Sequence, residues 1–194
     1  MMTICNDTAG AAREPSAAWE LDWKAYGRLG GNDYRLTDDV DLNAYSGHGL
    51  GRCFVFNNQN NDWYTTMGDL DMGDRDAEWM LTFTCNFTNG TAAQVGPAAD
   101  GVHLICGYKT DMTITTNAGA RFAYYATHGT TVKTAWVNQG WDTQLPSDRN
   151  TICIFGATAA ANDYLWGYGS VCSDPPFYTN SPSSYQFWTR DLWS

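Results

Sequence analysis

The chain has 194 residues, 16% of them charged, with nine Trp, eleven Tyr and eight Phe, and a formal net charge of −10. With a pI near 4.4 and basic residues only singly placed, it lacks the basic stripe that a nucleic-acid backbone or an anionic membrane requires. No apolar run approaches the roughly 18 residues needed to span a bilayer.

Residues 1–18 are small and polar, with Pro15, and read as an N-terminal arm. The remainder, 19–194, is expected to be a single β-sandwich domain, because a chain of this size builds one core. A first strand pair is predicted around Trp19–Tyr26 and Tyr34–Leu36, and Asp38–Gly51 reads as a loop rich in turn formers. Strands follow at Cys53–Phe56, Tyr64–Met67 and Trp79–Phe87. In the last of these Trp79, Leu81, Phe83, Cys85 and Phe87 alternate with Met80, Thr82, Thr84 and Asn86. That is the period-2 pattern of a half-buried strand. After the small-residue linker TAAQVGPAADG come Val102–Tyr108, Met112–Thr115, Arg121–Ala126, Thr131–Val137, Thr151–Phe155, Tyr164–Tyr168 and Tyr185–Arg190. Turn signals at Asn117–Gly119, His128–Gly129 and Asn138–Gly140 separate them, as in an antiparallel sandwich. The one helical candidate is a turn around Ala157–Asn162, and Ser173–Ser184 must be loop because of its prolines.

The N-terminus has no apolar signal core, so no secretory signal is expected in the chain as given. Six cysteines would permit three disulfides, but Cys53, Cys85, Cys106 and Cys153 sit in apolar strand runs, where a free thiol behaves as a small hydrophobe. No CxxC or CxxH spacing exists, which argues against a zinc site. Asn6, Asn86 and Asn89 head N-x-T sequons, which matter only in a glycosylating compartment.

The segments CFVFNNQNNDWYTTM, with Phe56-Asn57-Asn58 at the turn, and EWMLTFTCNFTNG resemble two strands of the concanavalin A-like lectin/glucanase superfamily, in particular laminin-G-like jelly rolls. SYQFWTRDLWS resembles its closing strand, and RNTICIFGATAAANDYLWGYGS the hairpin before it. The resemblance implies an all-β, antiparallel jelly roll with little or no helix. It carries over no catalytic residue.

Candidate sites follow from residue chemistry. Asp69, Asp71, Asp74 and Asp76 in one acidic loop are candidate calcium ligands, since a hard cation takes six to eight oxygens. The same loop lacks the paired glutamates of a laminarinase-type glycosidase. Trp63 and Tyr64 beside Asn58, Asn61 and Asp62 form the most sugar-like cluster, an aromatic face ringed by hydrogen-bonding groups. Trp141 and Trp166 head two further clusters, whereas Trp79 and Trp188 read as core. His48, His103 and His128 are scattered singly, and no nucleophile–base pair can be read from the sequence.

The expected function is a non-enzymatic module that recognises a glycan or cell-surface receptor, on a virion or an extracellular surface. Two alternatives stay open: a purely structural, self-associating virion protein, and a glycoside hydrolase or polysaccharide lyase. No nucleic-acid partner and no membrane insertion are expected, and calcium is the one cofactor considered.

Overall fold

Three strands at the centre of the molecule, β2 (Leu42–Ser46), β5 (Trp79–Phe83) and β6 (Leu104–Tyr108), are buried along nearly their whole length. Strands buried on both faces belong to parallel sheets sandwiched between other layers. The computed structural model describes residues 2–6, 20–56 and 63–193. It places β1 (Met2–Asn6), β2, β5 and β6 side by side in parallel, followed by antiparallel β7 (Thr151–Ala157) and β8 (Tyr185–Asp191). A small hairpin, β3 (Cys53–Val55) with β4 (Tyr64–Thr66), stands apart from this sheet.

Two helices, α3 (Ala118–Thr127) and α4 (Val132–Thr143), connect β6 to β7 and cover one face. Trp136 of α4 reaches Phe83, Tyr108 and Phe122 by ring contact and donates its indole N–H to the Gly107 carbonyl at 3.2 Å. The opposite face carries Tyr45, which stacks on Phe54 of the hairpin at 4.1 Å, with Phe87 stacked on Phe54 at the same distance. Trp23 completes that aromatic layer. Short helices α1 (Tyr26–Leu29) and α2 (Ala92–Val95) lie in the connections that precede β2 and β6.

The fold is therefore mixed α/β, not the antiparallel jelly roll that the sequence pattern predicts. The alternation in β5 is one of composition rather than exposure. Thr82 is fully buried, because its hydroxyl donates to the Cys106 carbonyl of the next strand at 2.8 Å. A threonine satisfied in this way needs no solvent face. The strand also stops at Phe83, four residues short of its expected end.

Between Arg121 and Val137 helices replace the predicted strands. Their aromatic and β-branched residues favour strands by propensity, but burial falls at helical spacing. Ala118, Phe122 and Ala126 face inward in α3, and Val132, Ala135, Trp136, Gln139, Gly140 and Thr143 do so in α4. The turn signal at Asn138–Gly140 lies inside α4. Gly140 is needed there for close approach, since a Cβ would stand 2.5 Å from Ile152 Cδ1. Thr131 caps the helix by accepting from the Thr134 N–H at 3.2 Å.

Other expectations change as well. The predicted loop Asp38–Gly51 contains β2, and the first strand pair is replaced by helical turns at Glu20–Asp22, α1 and Asp33–Arg35. Met112–Thr115 and Tyr164–Tyr168 form no strand. The turn at Thr158–Asn162 is a 3-10 helix. Met2–Asn6, inside the expected arm, is an edge strand of the sheet.

Candidate functional site

In an open parallel sheet the strand ends on one side converge, and ligands bind beyond the carboxyl ends. Here β2 ends in Ser46 and runs on into Gly47-His48-Gly49, while β5 ends in Phe83 and runs on into Thr84-Cys85-Asn86. Ser46 and Phe83 are register partners, and the Gly47 N–H still bonds the Phe83 carbonyl at 3.3 Å. His48 and Cys85 thus occupy equivalent positions, each two residues past a paired residue on neighbouring strands.

The backbone around this pair is closely built. A Cβ on Gly49 would run into the Thr84 hydroxyl and the Cys85 carbonyl, so only glycine fits. The His48 carbonyl accepts from the Val55 N–H at 3.0 Å and the Tyr45 hydroxyl at 3.2 Å, while the Leu50 N–H bonds Cys53. Those flanking bonds leave the Gly49 N–H outside the ladder with Phe54. The His48 side chain is exposed and Cys85 is half-buried. Cys85 Sγ accepts from the Met112 N–H at 3.4 Å and faces the Met112 carbonyl at 3.5 Å.

Asn86, next to the thiol, has φ 57°, a left-handed conformation that asparagine tolerates better than most residues. Its N–H bonds Thr110, its carbonyl accepts from the Arg52 N–H, and its side-chain amide donates to Asp111 Oδ1. Three loops are locked together in this way at the carboxyl end. The Thr84 hydroxyl beside them is buried and finds no hydrogen-bond partner among the described residues.

A second constellation lies at the opposite, amino end of the parallel strands. His103 directly precedes β6, and its Nδ1 lies 2.6 Å from Asp163 Oδ2. Cys172 Sγ stands 3.6 Å from that same nitrogen and 3.6 Å from Asp163 Oδ2. Burial first, and then the Asp163 carboxylate, push the Cys172 thiol up to about 12. Nearby Glu78 is raised by burial to about 7.

The acidic loop divides among different tasks. Asp69 caps a helical turn, accepting from the Thr66 N–H and hydroxyl at 2.8 Å each, and Asp76 is exposed. Asp71 and Asp74 line a cleft of about 480 Å³ with Asp33, Tyr26, Tyr34 and Arg75. Asp33 is raised by burial to about 6. Asp38 is held well above the usual carboxylate range by burial and by the neighbouring Asp74. The four expected calcium ligands therefore do not converge on one point, and the sequence gives no hint of Asp33 and Asp38.

Of the sugar-like cluster, Trp63 and Tyr64 are exposed on the β3–β4 hairpin and touch edge to face at 5.3 Å. Asn58, Asn61 and Asp62 lie outside the described residues. Trp141 packs on Trp193 and lines a cleft of about 420 Å³ with Asn138 and Trp188. Trp166 is exposed, 6.5 Å from Trp79. Cys53, Cys85, Cys106, Cys153 and Cys172 are free thiols. Among the described residues no helix is long and apolar enough to cross a membrane.

Fold and site together define a mixed α/β protein with a histidine and a cysteine in the loops that follow the carboxyl ends of adjacent parallel strands. Residues 14–190 match the family model described as a domain of unknown function, DUF6345, and the chain belongs to that family. No curated protein matches it.

Proposed function

We propose that the protein is a cysteine hydrolase that cleaves amide or ester bonds, with Cys85 as nucleophile and His48 as general base. The observation that carries this reading is the register: both residues lie two positions past the Ser46–Phe83 pair, in the loops that leave adjacent parallel strands. His48 is exposed, and catalytic contacts often tighten only when substrate is bound.

In the reaction His48 takes the thiol proton as Cys85 Sγ attacks the substrate carbonyl. The imidazolium then gives that proton to the leaving amine or alcohol, leaving a thioester on Cys85. His48 next deprotonates the water that cleaves the thioester, and returns the proton to the released thiol. The Met112 N–H donates to Sγ and helps to hold it in place. The Gly49 N–H is the donor available to the developing oxyanion.

Incubation with a mixed peptide and ester substrate library, read by mass spectrometry, tests the proposal. Hydrolysis abolished in Cys85→Ala supports it. A library left intact, together with iodoacetamide labelling of Cys85 no faster than that of Cys53, would sink it.

Glycan recognition is a second reading, favoured by one observation. Trp141 and Asn138 line the 420 Å³ cleft together with Trp188, an apolar wall with polar neighbours. Retention on a glycan array lost in Trp141→Ala, with folding intact, supports that reading, and unchanged retention removes it.

A further inference from the structure

The cluster at the amino end holds three side chains that the hydrolase reading does not use. His103 and Asp163 are 1% and 3% exposed, and Cys172 closes the group from the loop that follows Asp163. The backbone positions each of them. The His103 N–H bonds Glu78 and its carbonyl accepts from Ala157, while the Asp163 carbonyl accepts from the first N–H of α4. Asp163 Oδ1 accepts from the Cys172 N–H at 2.9 Å, which turns that loop back onto the sheet.

A catalytic relay of thiol, imidazole and carboxylate uses both ring nitrogens, one for each partner. In this cluster thiol and carboxylate both address Nδ1, so no proton can pass from one to the other through the ring. The three donors instead surround a common point, with one ligand atom from each lying within 4.8 Å of the others. For a tetrahedral ion with Zn–S about 2.3 Å and Zn–N about 2.0 Å, the sulfur–nitrogen edge is about 3.5 Å. The observed sulfur–nitrogen separation is 3.6 Å, while Nδ1 and Oδ2 stand 2.6 Å apart as a hydrogen bond that an ion would open to about 3.3 Å.

The far side of the ring fits the same picture. Among the described residues His103 Nε2 is buried without a hydrogen-bond partner, and Asp174 Oδ1 is 3.6 Å away. Metal-bound imidazoles characteristically offer their other N–H to such an outer carboxylate. A small cavity of about 40 Å³ bordered by His103, Glu78 and Asp174 has room for about one water on this Asp174 side of the ring.

We propose that His103 Nδ1, Asp163 Oδ2 and Cys172 Sγ bind one divalent transition-metal ion, zinc by ligand type, with water in the fourth position and Asp174 orienting the imidazole. A thiolate, a neutral imidazole and a carboxylate balance the charge of a divalent ion, and their softness selects zinc over calcium or magnesium. The ion ties the loop from Asp163 to Asp174 onto the start of β6. The sequence conceals the site because its ligands are 60 and 9 residues apart, outside any short motif.

The test uses chelator-stripped full-length protein titrated with Co2+ and then with Zn2+. One equivalent of Co2+ should produce a thiolate-to-metal charge-transfer band that Zn2+ removes and Ca2+ does not. Cys172→Ser should lose the band and Cys85→Ser should keep it, which separates this site from the hydrolase centre. Asp174→Asn should weaken Co2+ binding by about 10–100-fold. In the wild-type protein, Zn2+ should protect Cys172 from iodoacetamide, a readout independent of whether any variant folds. Absence of the band together with absence of protection overturns the proposal, as does a band that survives Cys172→Ser.

Discussion

The two ends of the parallel strands carry the same residue types in opposite arrangements. At the carboxyl end, His48 is exposed, Cys85 receives a backbone N–H, and no acid joins them among the described contacts. At the amino end, His103 is sealed in, and Asp163 and Cys172 compete for one nitrogen. The first arrangement leaves an imidazole free to move a proton. The second fixes three donors around a point. Environment, rather than the presence of a cysteine and a histidine, assigns the chemistry.

The comparison can be broken most severely at Cys85. Cys85→Ala should abolish hydrolysis, whereas Cys172→Ala should leave turnover within a small factor of wild type when the variant folds. Turnover that follows Cys172 instead would invert the assignment. His48→Ala should lower kcat by about 10²–10⁴-fold, the range for a lost general base, with KM little changed. The same substitution should slow iodoacetamide capture of Cys85 at neutral pH and leave Cys172 unaffected.

A structural test comes next. Gly49→Ala forces a methyl against Thr84 and the Cys85 carbonyl, and should cost about 1–3 kcal/mol in urea unfolding while also lowering activity. Retained stability with full activity would show that the two loops do not need their close contact.

The smallest effect concerns pH. The folded protein raises Asp33 from 3.8 to about 6 and Glu78 from 4.5 to about 7, and it raises Asp38 as well. Between the unfolded and folded values the native state binds more protons than the unfolded chain, so stability falls as pH rises through that window. The stability contribution of these groups is complete below their unfolded values and lost above their folded ones. Asp38→Asn, which keeps an acceptor for the Gly73 N–H, should raise the thermal midpoint near pH 8 by about 2–4 °C per kcal/mol gained. It should also flatten the decline between pH 4 and pH 8, and an unchanged slope would remove Asp38 from the account.

The sequence reveals much of the strand set and little of its arrangement. Cys53–Val55, Tyr64–Thr66, Leu104–Tyr108, Thr151–Ala157 and Tyr185–Asp191 are all recognisable from apolar runs bounded by turns. Parallel pairing leaves no comparable mark, because β2 is five residues inside a stretch crowded with Asp, Asn and Gly. Its Asn43 is buried, with its amide donating to the Thr37 carbonyl, so even the polar letter belongs to the core. Thr131 before an inward row spaced by three and four residues was a legible start for α4.

The sites were less accessible still. His48 and Cys85 are 37 residues apart in sequence and are related only through the β2–β5 register. A histidine flanked by two glycines was the available signal. The His103–Asp163–Cys172 cluster depends on where the Asp163–Asp174 loop turns back, which one side-chain bond to the Cys172 N–H helps to set.

The outer edge of the sheet at β8 has its own consequence for crowding and storage. Its final residues Thr189, Arg190 and Asp191 are exposed, and no strand among the described residues pairs beyond them. An open strand edge is a template for adding another chain, and alternating charges there oppose that addition. Neutralising Arg190 and Asp191 together would remove this protection and should raise the tendency of the open edge to add a further strand.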